Sequence, residues 1–183
     1  MMEEAKKKSN GFNIHKIALL GVLTAGAVVI AILESFIPSI GIPGIKLGLA
    51  NIVILVALYE LGILEAVAIN LIRVLIVGLV RGTFLSFGFL MSLSGAMFSL
   101  LVMIIFYLMV RKFSIVGVSV IGALFHVIGQ ILVAMMFLET AYIALYLPVI
   151  GLSAIITGVF VGIVATAIIK TGVIKRQKEK HGY

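Results

Sequence analysis

A chain of 183 residues in which 63% are hydrophobic and only 11% are charged has too little polar surface to cover a soluble globule. The lack of cysteine excludes disulfides, thiolate metal sites and cysteine nucleophiles. The net charge of +7 comes mainly from basic segments that flank the apolar region, which favours contact with anionic lipid over nucleic acid. We therefore expect one membrane domain over residues 17–170, between basic cytoplasmic tails at residues 1–16 and 171–183.

Charged residues, glycines and prolines divide the apolar region into six predicted helices. A helix needs about 20 residues to cross the hydrocarbon core of a bilayer, and the second candidate is short for a full crossing. The sequence thus predicts an all-α membrane protein, a bundle of six transmembrane helices. The predicted helices cover residues 15–37, 46–59, 63–80, 84–110, 114–138 and 147–170.

Lysine and arginine residues are distributed unevenly between the two sides of this predicted bundle. If the N-terminus is cytoplasmic, eleven of the fourteen basic residues lie inside, two lie outside, and Arg73 lies within a helix. Basic residues favour the cytoplasmic side of a membrane. We therefore predict that both termini are inside (N-in, C-in), in the bacterial cell membrane.

Small residues recur four positions apart on three of the predicted helices, a pattern that lets helix backbones approach closely. For Gly158 and Gly162 we predict packing within the bundle, with a docking face for another subunit as the alternative. The recurring residues are Ala27 and Ala31 on the first helix, Gly95 and Ser99 on the fourth, and Ala154, Gly158, Gly162 and Thr166 on the sixth.

Polar side chains within the predicted spans are costly in lipid and therefore indicate a functional interior. Several of these polar residues share one face of the third helix, and two share a face of the fifth. Their estimated depths in the bilayer place them in its outer half or near its midplane. We predict a pocket that opens outward and binds a small anionic solute, because its cations outnumber its acids. Its predicted lining is Lys46, Asn51, Asn70, Arg73, Arg81, His126 and Gln130.

Each of these groups also has a structural interpretation. Arg73 is suited to an ion pair with Glu34, and Arg81 is close enough to the interface to extend its charge into water. His126 and Gln130 are suited to a hydrogen bond between helices, and Asn51 to capping or bridging the second helix. His126 and Gln130 alone are too few ligands for a metal site. We predict no metal and no cofactor.

Two connections on the outer side are candidates for closing this pocket. Residues 36–45 contain prolines and glycines that make a stiffened flap, and residues 139–146 carry Tyr142 and Tyr146. These tyrosines are suited either to stacking on a flat ligand or to anchoring the chain at the membrane interface.

The sequence lacks several catalytic motifs. All seven acidic residues are glutamates, and there is no aspartate. The chain also has no nucleotide-binding lysine loop, no zinc-protease helix motif and no Gly-x-Ser-x-Gly turn. We therefore predict that it is not an enzyme, and that energy for active transport comes from another subunit or from an ion gradient.

Four segments carry a resemblance to a known family. They are Pro-Gly-Ile-Lys-Leu-Gly-Leu-Ala-Asn at residues 43–51, and residues 73–79, 92–96 and 117–123. Together they resemble the bacterial Gx transporter family, which also carries the label heptaprenyl diphosphate synthase component I. One departure is that Val127 follows His126, where the family pattern has asparagine.

This family is similar to the S components of energy-coupling factor transporters, six-helix proteins that capture vitamins from outside. The resemblance implies a substrate-binding subunit, with an energy-coupling transmembrane subunit and ATPases as partners. It places the docking face for that subunit at Ala27 and Ala31. The alternative is a membrane anchor or accessory subunit for quinone or prenyl diphosphate metabolism, or for flavin-linked or quinone-linked extracellular electron transfer. Catalysis by such a subunit alone is not expected, because polyprenyl diphosphate synthases bind magnesium through aspartates.

Overall fold

The computed structural model describes residues 14–36, 46–109, 113–172 and 174, and within these ranges it is all-helical. Five segments are long and apolar enough to cross a membrane, which identifies a multi-pass membrane protein. The last of them joins a short 3-10 helix, Ala141–Tyr146, to α6. The α-helices are α1 (Ile14–Glu34), α2 (Asn51–Glu60), α3 (Ile63–Val80), α4 (Phe87–Met109), α5 (Ile115–Phe137) and α6 (Leu147–Lys170).

The second helix differs from its prediction. It begins at Asn51 rather than at residue 46, and its 10 residues span only about 15 Å. Every residue from Asn51 to Leu58 is buried, because the helix is apolar on all sides and packs inside the bundle. This segment is a short central helix, as its short predicted length indicated, and the described structure has five long apolar spans rather than six.

An ion pair shows how the chain is arranged around α2. Lys16, near the start of α1, lies 2.5 Å from Glu65, near the start of α3. α1 and α3 thus begin at the same end of the bundle. The chain between the end of α1 and the start of α3 must therefore run back along the bundle to that end. The end of α1 and the end of α3 then lie together at the opposite end.

Glycines set the close contacts of α5 with its neighbours. A Cβ at Gly158 would lie 2.7 Å from the Cα atom of Val120, and one at Gly162 would lie 2.6 Å from that of Val116. On the other side of α5, a Cβ at Gly95 would lie 2.8 Å from the backbone oxygen of His126. These distances confirm that the small-residue faces of α4 and α6 pack within the bundle.

The small-residue face of α1 is also covered. Ala27 is 0% exposed and packs in the core around α2, and Ala31 is 6% exposed and packs against Ala50 and Val77. The predicted docking face at Ala27 and Ala31 is thus covered by the chain's own helices in this structure, and docking of a partner there stays a prediction.

Three of the predicted features fall largely outside the described residues. These are the flap at residues 36–45, of which Phe36 is described, and the two basic tails. The second tail is described at residues 171, 172 and 174, whereas residues 14–16 of the first belong to α1.

Candidate functional site

A cavity of about 170 Å³ lies at the end of the bundle where α1 and α3 end. It is enclosed by α1, α3, α4, α5 and the turn before α2. Basic groups and apolar side chains both contribute to its surface. The lining residues are Ala31, Glu34, Lys46, Gly48, Arg73, Val74, Val77, Gly78, Arg81, Thr83, Gly88, Phe89, Ser92 and His126.

One face of α3 and the residue that follows it supply the two arginines of the cavity. Arg73, Val77 and Arg81 are spaced four apart, so that they follow one stripe of a helix. Arg73 is 4% exposed, whereas Arg81 is exposed. Eight residues of helix separate them by about 12 Å, which places Arg73 deep in the cavity and Arg81 at its rim.

Asn70 holds the guanidinium of Arg73 in place. Its Nδ2 donates to the backbone oxygen of Ala96 on α4 (3.1 Å), so its Oδ1 is the atom that accepts from Arg73 Nη2 (2.7 Å). Asn70 is buried and does not line the cavity. Arg73 Nε is also buried and has no hydrogen-bond partner in the structure. The guanidinium therefore has an N–H donor available besides the one that Asn70 binds.

Glu34, the last residue of α1, binds the turn before α2. Its Oε1 accepts from the backbone N–H of Gly48 at 2.5 Å. Gly48 has a φ of +83°, and a Cβ there would lie 3.0 Å from Asn51 Nδ2, so this turn favours glycine. Glu34 forms no ion pair with Arg73 in the described structure, in which Arg73 is bound by Asn70. The interpretation of the two as a direct ion pair is therefore wrong.

Gln130 connects the turn before α2 to His126. The backbone N–H of Lys46 donates to Gln130 Oε1 (3.2 Å), so Gln130 Nε2 is left to donate to His126 Nε2 (3.0 Å). This fixes a neutral imidazole with its lone pair on Nε2. The predicted hydrogen bond between His126 and Gln130 exists, but it lies within α5, and the link to another segment runs through Lys46.

Asn51 bridges two helices, as its structural interpretation predicted. Its Nδ2 donates to Ser99 Oγ on α4 (3.1 Å), and both side chains are buried. Asn51 is not among the residues that line the cavity.

The cavity surface carries three basic side chains and one acid, with the acid already bound by backbone. Lys46 lies in the turn outside the long helices and is partly buried. This burial lowers the pKa of its ammonium, and the carboxylate of Glu34 opposes the shift. The site therefore favours an anion, which would compensate the remaining positive charge.

Four of the seven predicted substrate-binding residues line the cavity: Lys46, Arg73, Arg81 and His126. The other three, Asn51, Asn70 and Gln130, do not line the cavity, and they are buried beside it where they hold other groups in position. Tyr142 and Tyr146 are exposed and do not line the cavity, as expected of interfacial anchors rather than of stacking groups.

The sequence prediction missed several lining residues. Val74 and Gly78 lie on α3 next to the predicted face of Arg73 and Val77, and a wider choice of that face would have included them. Phe89 had no sequence signal, because its position depends on how α4 turns relative to α3. Ala31, predicted as part of a docking face, also lines the cavity. Within the described residues, no three histidine or glutamate side chains lie close enough to hold a metal ion.

Comparison with curated proteins and with solved structures gives no significant match. A family model described as heptaprenyl diphosphate synthase component I matches residues 23–168. The matched region includes every residue of the cavity. It also includes the segments that resemble the Gx transporter family. Because the match spans most of the chain, this protein belongs to the heptaprenyl diphosphate synthase component I family, also called the Gx transporter family.

Proposed function

We propose that this protein is a substrate-binding membrane subunit, similar to an S component, that captures a small anionic solute from outside the cell. The observation that carries the proposal is Arg73, a buried cation on a cavity wall with an unpartnered Nε. Glu34 is the one acid that lines this part of the cavity, and its carboxylate is already bound by the backbone N–H of Gly48. Buried charge that is only partly compensated is costly, and a bound anion would supply further counter-charge and a hydrogen-bond acceptor together.

The position of the cavity supports capture from outside. It lies at the end of the bundle opposite the Lys16 and Glu65 ion pair. The excess of basic residues in the two tails and at residues 111 and 112, between α4 and α5 in the sequence, favours a cytoplasmic location for the end that carries this ion pair. In this N-in, C-in orientation the cavity faces outward, in the cell membrane.

Transport against a gradient needs a partner in this proposal. The sequence has no nucleotide-binding loop, so an energy-coupling transmembrane subunit with ATPases would supply the energy. That partner would dock on the lipid-facing surface, because the faces at Ala27 and Ala31 and at Gly158 and Gly162 are occupied within the bundle.

Native mass spectrometry of the gently extracted full chain tests this function. We expect one small anionic molecule per chain, retained by the native protein and lost from an Arg73→Gln variant. Lys170→Gln is the matched control, because it also removes one positive charge but lies at the end of α6, away from the cavity. Equal retention by all three proteins would contradict the proposed site.

The family description favours a second candidate, an accessory membrane subunit in prenyl diphosphate or quinone metabolism. In that role the chain would anchor a soluble enzyme, and catalysis would belong to the enzyme, since this chain has no aspartate for a magnesium site. The same spectra distinguish the two. A co-purifying soluble enzyme without ATPase subunits and without a retained small molecule would favour the accessory role.

A further inference from the structure

The cavity has an apolar flank beside its arginines. We use this name for Val74, Gly78 and Phe89, which lie where α3 packs on α4. Val74 and Phe89 share one buried cluster. Phe89 is 5% exposed and its ring lies 5.1 Å from that of Phe84, edge to face. All three residues of the flank line the cavity.

Gly78 determines where the Phe89 ring lies. A Cβ at residue 78 would be only 2.6 Å from Cδ2 and 2.9 Å from Cε2 of Phe89. The ring therefore packs directly against the backbone of α3, which leaves the cavity its present width. Any larger residue at position 78 would force the ring to move.

From this pairing of cations with an apolar flank, we infer that the ligand is a small organic carboxylate with an apolar body of about one ring. The inference deepens the proposed function and rests on it. The carboxylate would bind Arg73 and Lys46, and the body would lie against Val74 and Phe89. The volume of about 170 Å³ suits such a size, since a cavity of roughly 150 Å³ accommodates benzene.

Other ligand classes fit this surface less well. An inorganic anion such as phosphate needs hydrogen-bond donors on all sides, and the side chains of the apolar flank offer none. A neutral apolar molecule would leave the three basic side chains of the cavity with only the carboxylate of Glu34 as a counter-charge. An amine would add a further positive charge beside three basic side chains.

Isothermal titration of the purified full chain in detergent tests the inference with three probes. Benzoate carries the carboxylate and one ring, benzylamine carries the ring with the opposite charge, and phosphate carries charge without a ring. We expect benzoate to bind at least about tenfold more tightly than either of the others, because only it uses both parts of the surface. Equal affinities, or tightest binding of phosphate or benzylamine, would overturn the inference.

A Gly78→Ala variant tests the role of the apolar flank. The added methyl group should push the Phe89 ring into the cavity and weaken benzoate binding by about tenfold or more, and it should weaken acetate binding less, because acetate has no ring to place against the flank. The matched control is Gly26→Ala, because a Cβ at Gly26 meets nothing within 4 Å. Undiminished benzoate binding by folded Gly78→Ala protein would contradict the assignment of the ring to this flank.

A second variant keeps the test valid if Gly78→Ala fails to fold. Lys46→Gln removes a cation assigned to the carboxylate, at a position in the turn before α2 outside the long helices, and should weaken benzoate binding while leaving thermal unfolding unchanged. Unchanged affinity would count against the anion site. Titration measures binding by the chain alone, so benzoate binding without uptake in cells would reject the transport role and leave the ligand class standing.

Discussion

At the scale of single residues, the buried amides explain how charge is held in a lipid-embedded protein. Asn70 donates to a backbone oxygen of α4 and accepts from Arg73, and Asn51 donates to Ser99. Both asparagines are buried, but only Asn70 is bonded to a cation of the cavity. This difference separates a role in ligand binding from a role in folding.

The pair of substitutions Asn70→Leu and Asn51→Leu uses this difference. Each removes a buried hydrogen-bonded amide, so each should lower the free energy of unfolding by about 1–3 kcal/mol. Only Asn70→Leu should also weaken benzoate binding, because it leaves Arg73 without the acceptor that orients it. Chemical unfolding and titration calorimetry measure the two effects. An equal loss of affinity in both variants would show that Asn70 acts only on stability.

Lys46 predicts a pH dependence of binding. Burial lowers the pKa of its ammonium below the usual 10.5, and the charged form exists below that pKa. Affinity for benzoate should therefore be full at pH values below the lowered pKa and should fall as the pH rises through it. Titration calorimetry at a series of pH values measures the decrease.

Two variants identify the group behind that decrease. Lys46→Met should abolish the pH dependence and lower affinity at neutral pH. Arg81→Gln should lower affinity overall and keep the pH dependence, because the titrating ammonium is still present. A decrease that persists unchanged in Lys46→Met would assign it to another residue.

At the scale of helices, the sequence predicted the long elements well, and failed on the short one. Residues 63–80 and 147–170 match α3 and α6 at both ends, because a glycine, a proline or a charged residue lies at each of those ends. The start of α2 was misplaced, since the apolar residues before it are interrupted only by Gly48. The bond from Gly48 to Glu34 holds that turn out of the helix, and the two residues are 14 positions apart.

The packing of α6 on α5 gives a prediction at this scale. Gly162→Ala places a Cβ about 2.6 Å from the backbone of Val116, which cannot move aside as a flexible side chain can. The helices must separate, and we expect the free energy of unfolding to fall by about 1–3 kcal/mol. Chemical denaturation in detergent measures it. The control Gly21→Ala adds a methyl group where nothing lies within 4 Å, and a similar loss there would contradict the packing argument.

At the scale of the whole molecule, the bundle has two distinct ends. One carries the Lys16 and Glu65 ion pair, and the other carries the cavity. The position of each residue along its predicted helix was enough to place Arg73, Arg81 and Lys46 toward the same end of the bundle. The sequence could not show which of the inward-facing polar groups reach open space, because that depends on the rotation of α4 and α5 relative to α3.

The orientation of these two ends in the membrane decides whether the cavity can capture a solute from outside. The native chain has no cysteine, so single cysteines at residues 9, 39 and 114 can be labelled with a membrane-impermeant thiol reagent. The split of eleven basic residues against two favours N-in, C-in. We therefore expect Ser39→Cys to react in intact cells, and Ser9→Cys and Ser114→Cys to react only after permeabilisation. The reverse pattern would place the cavity on the cytoplasmic side, and capture from outside would then be impossible for this fold.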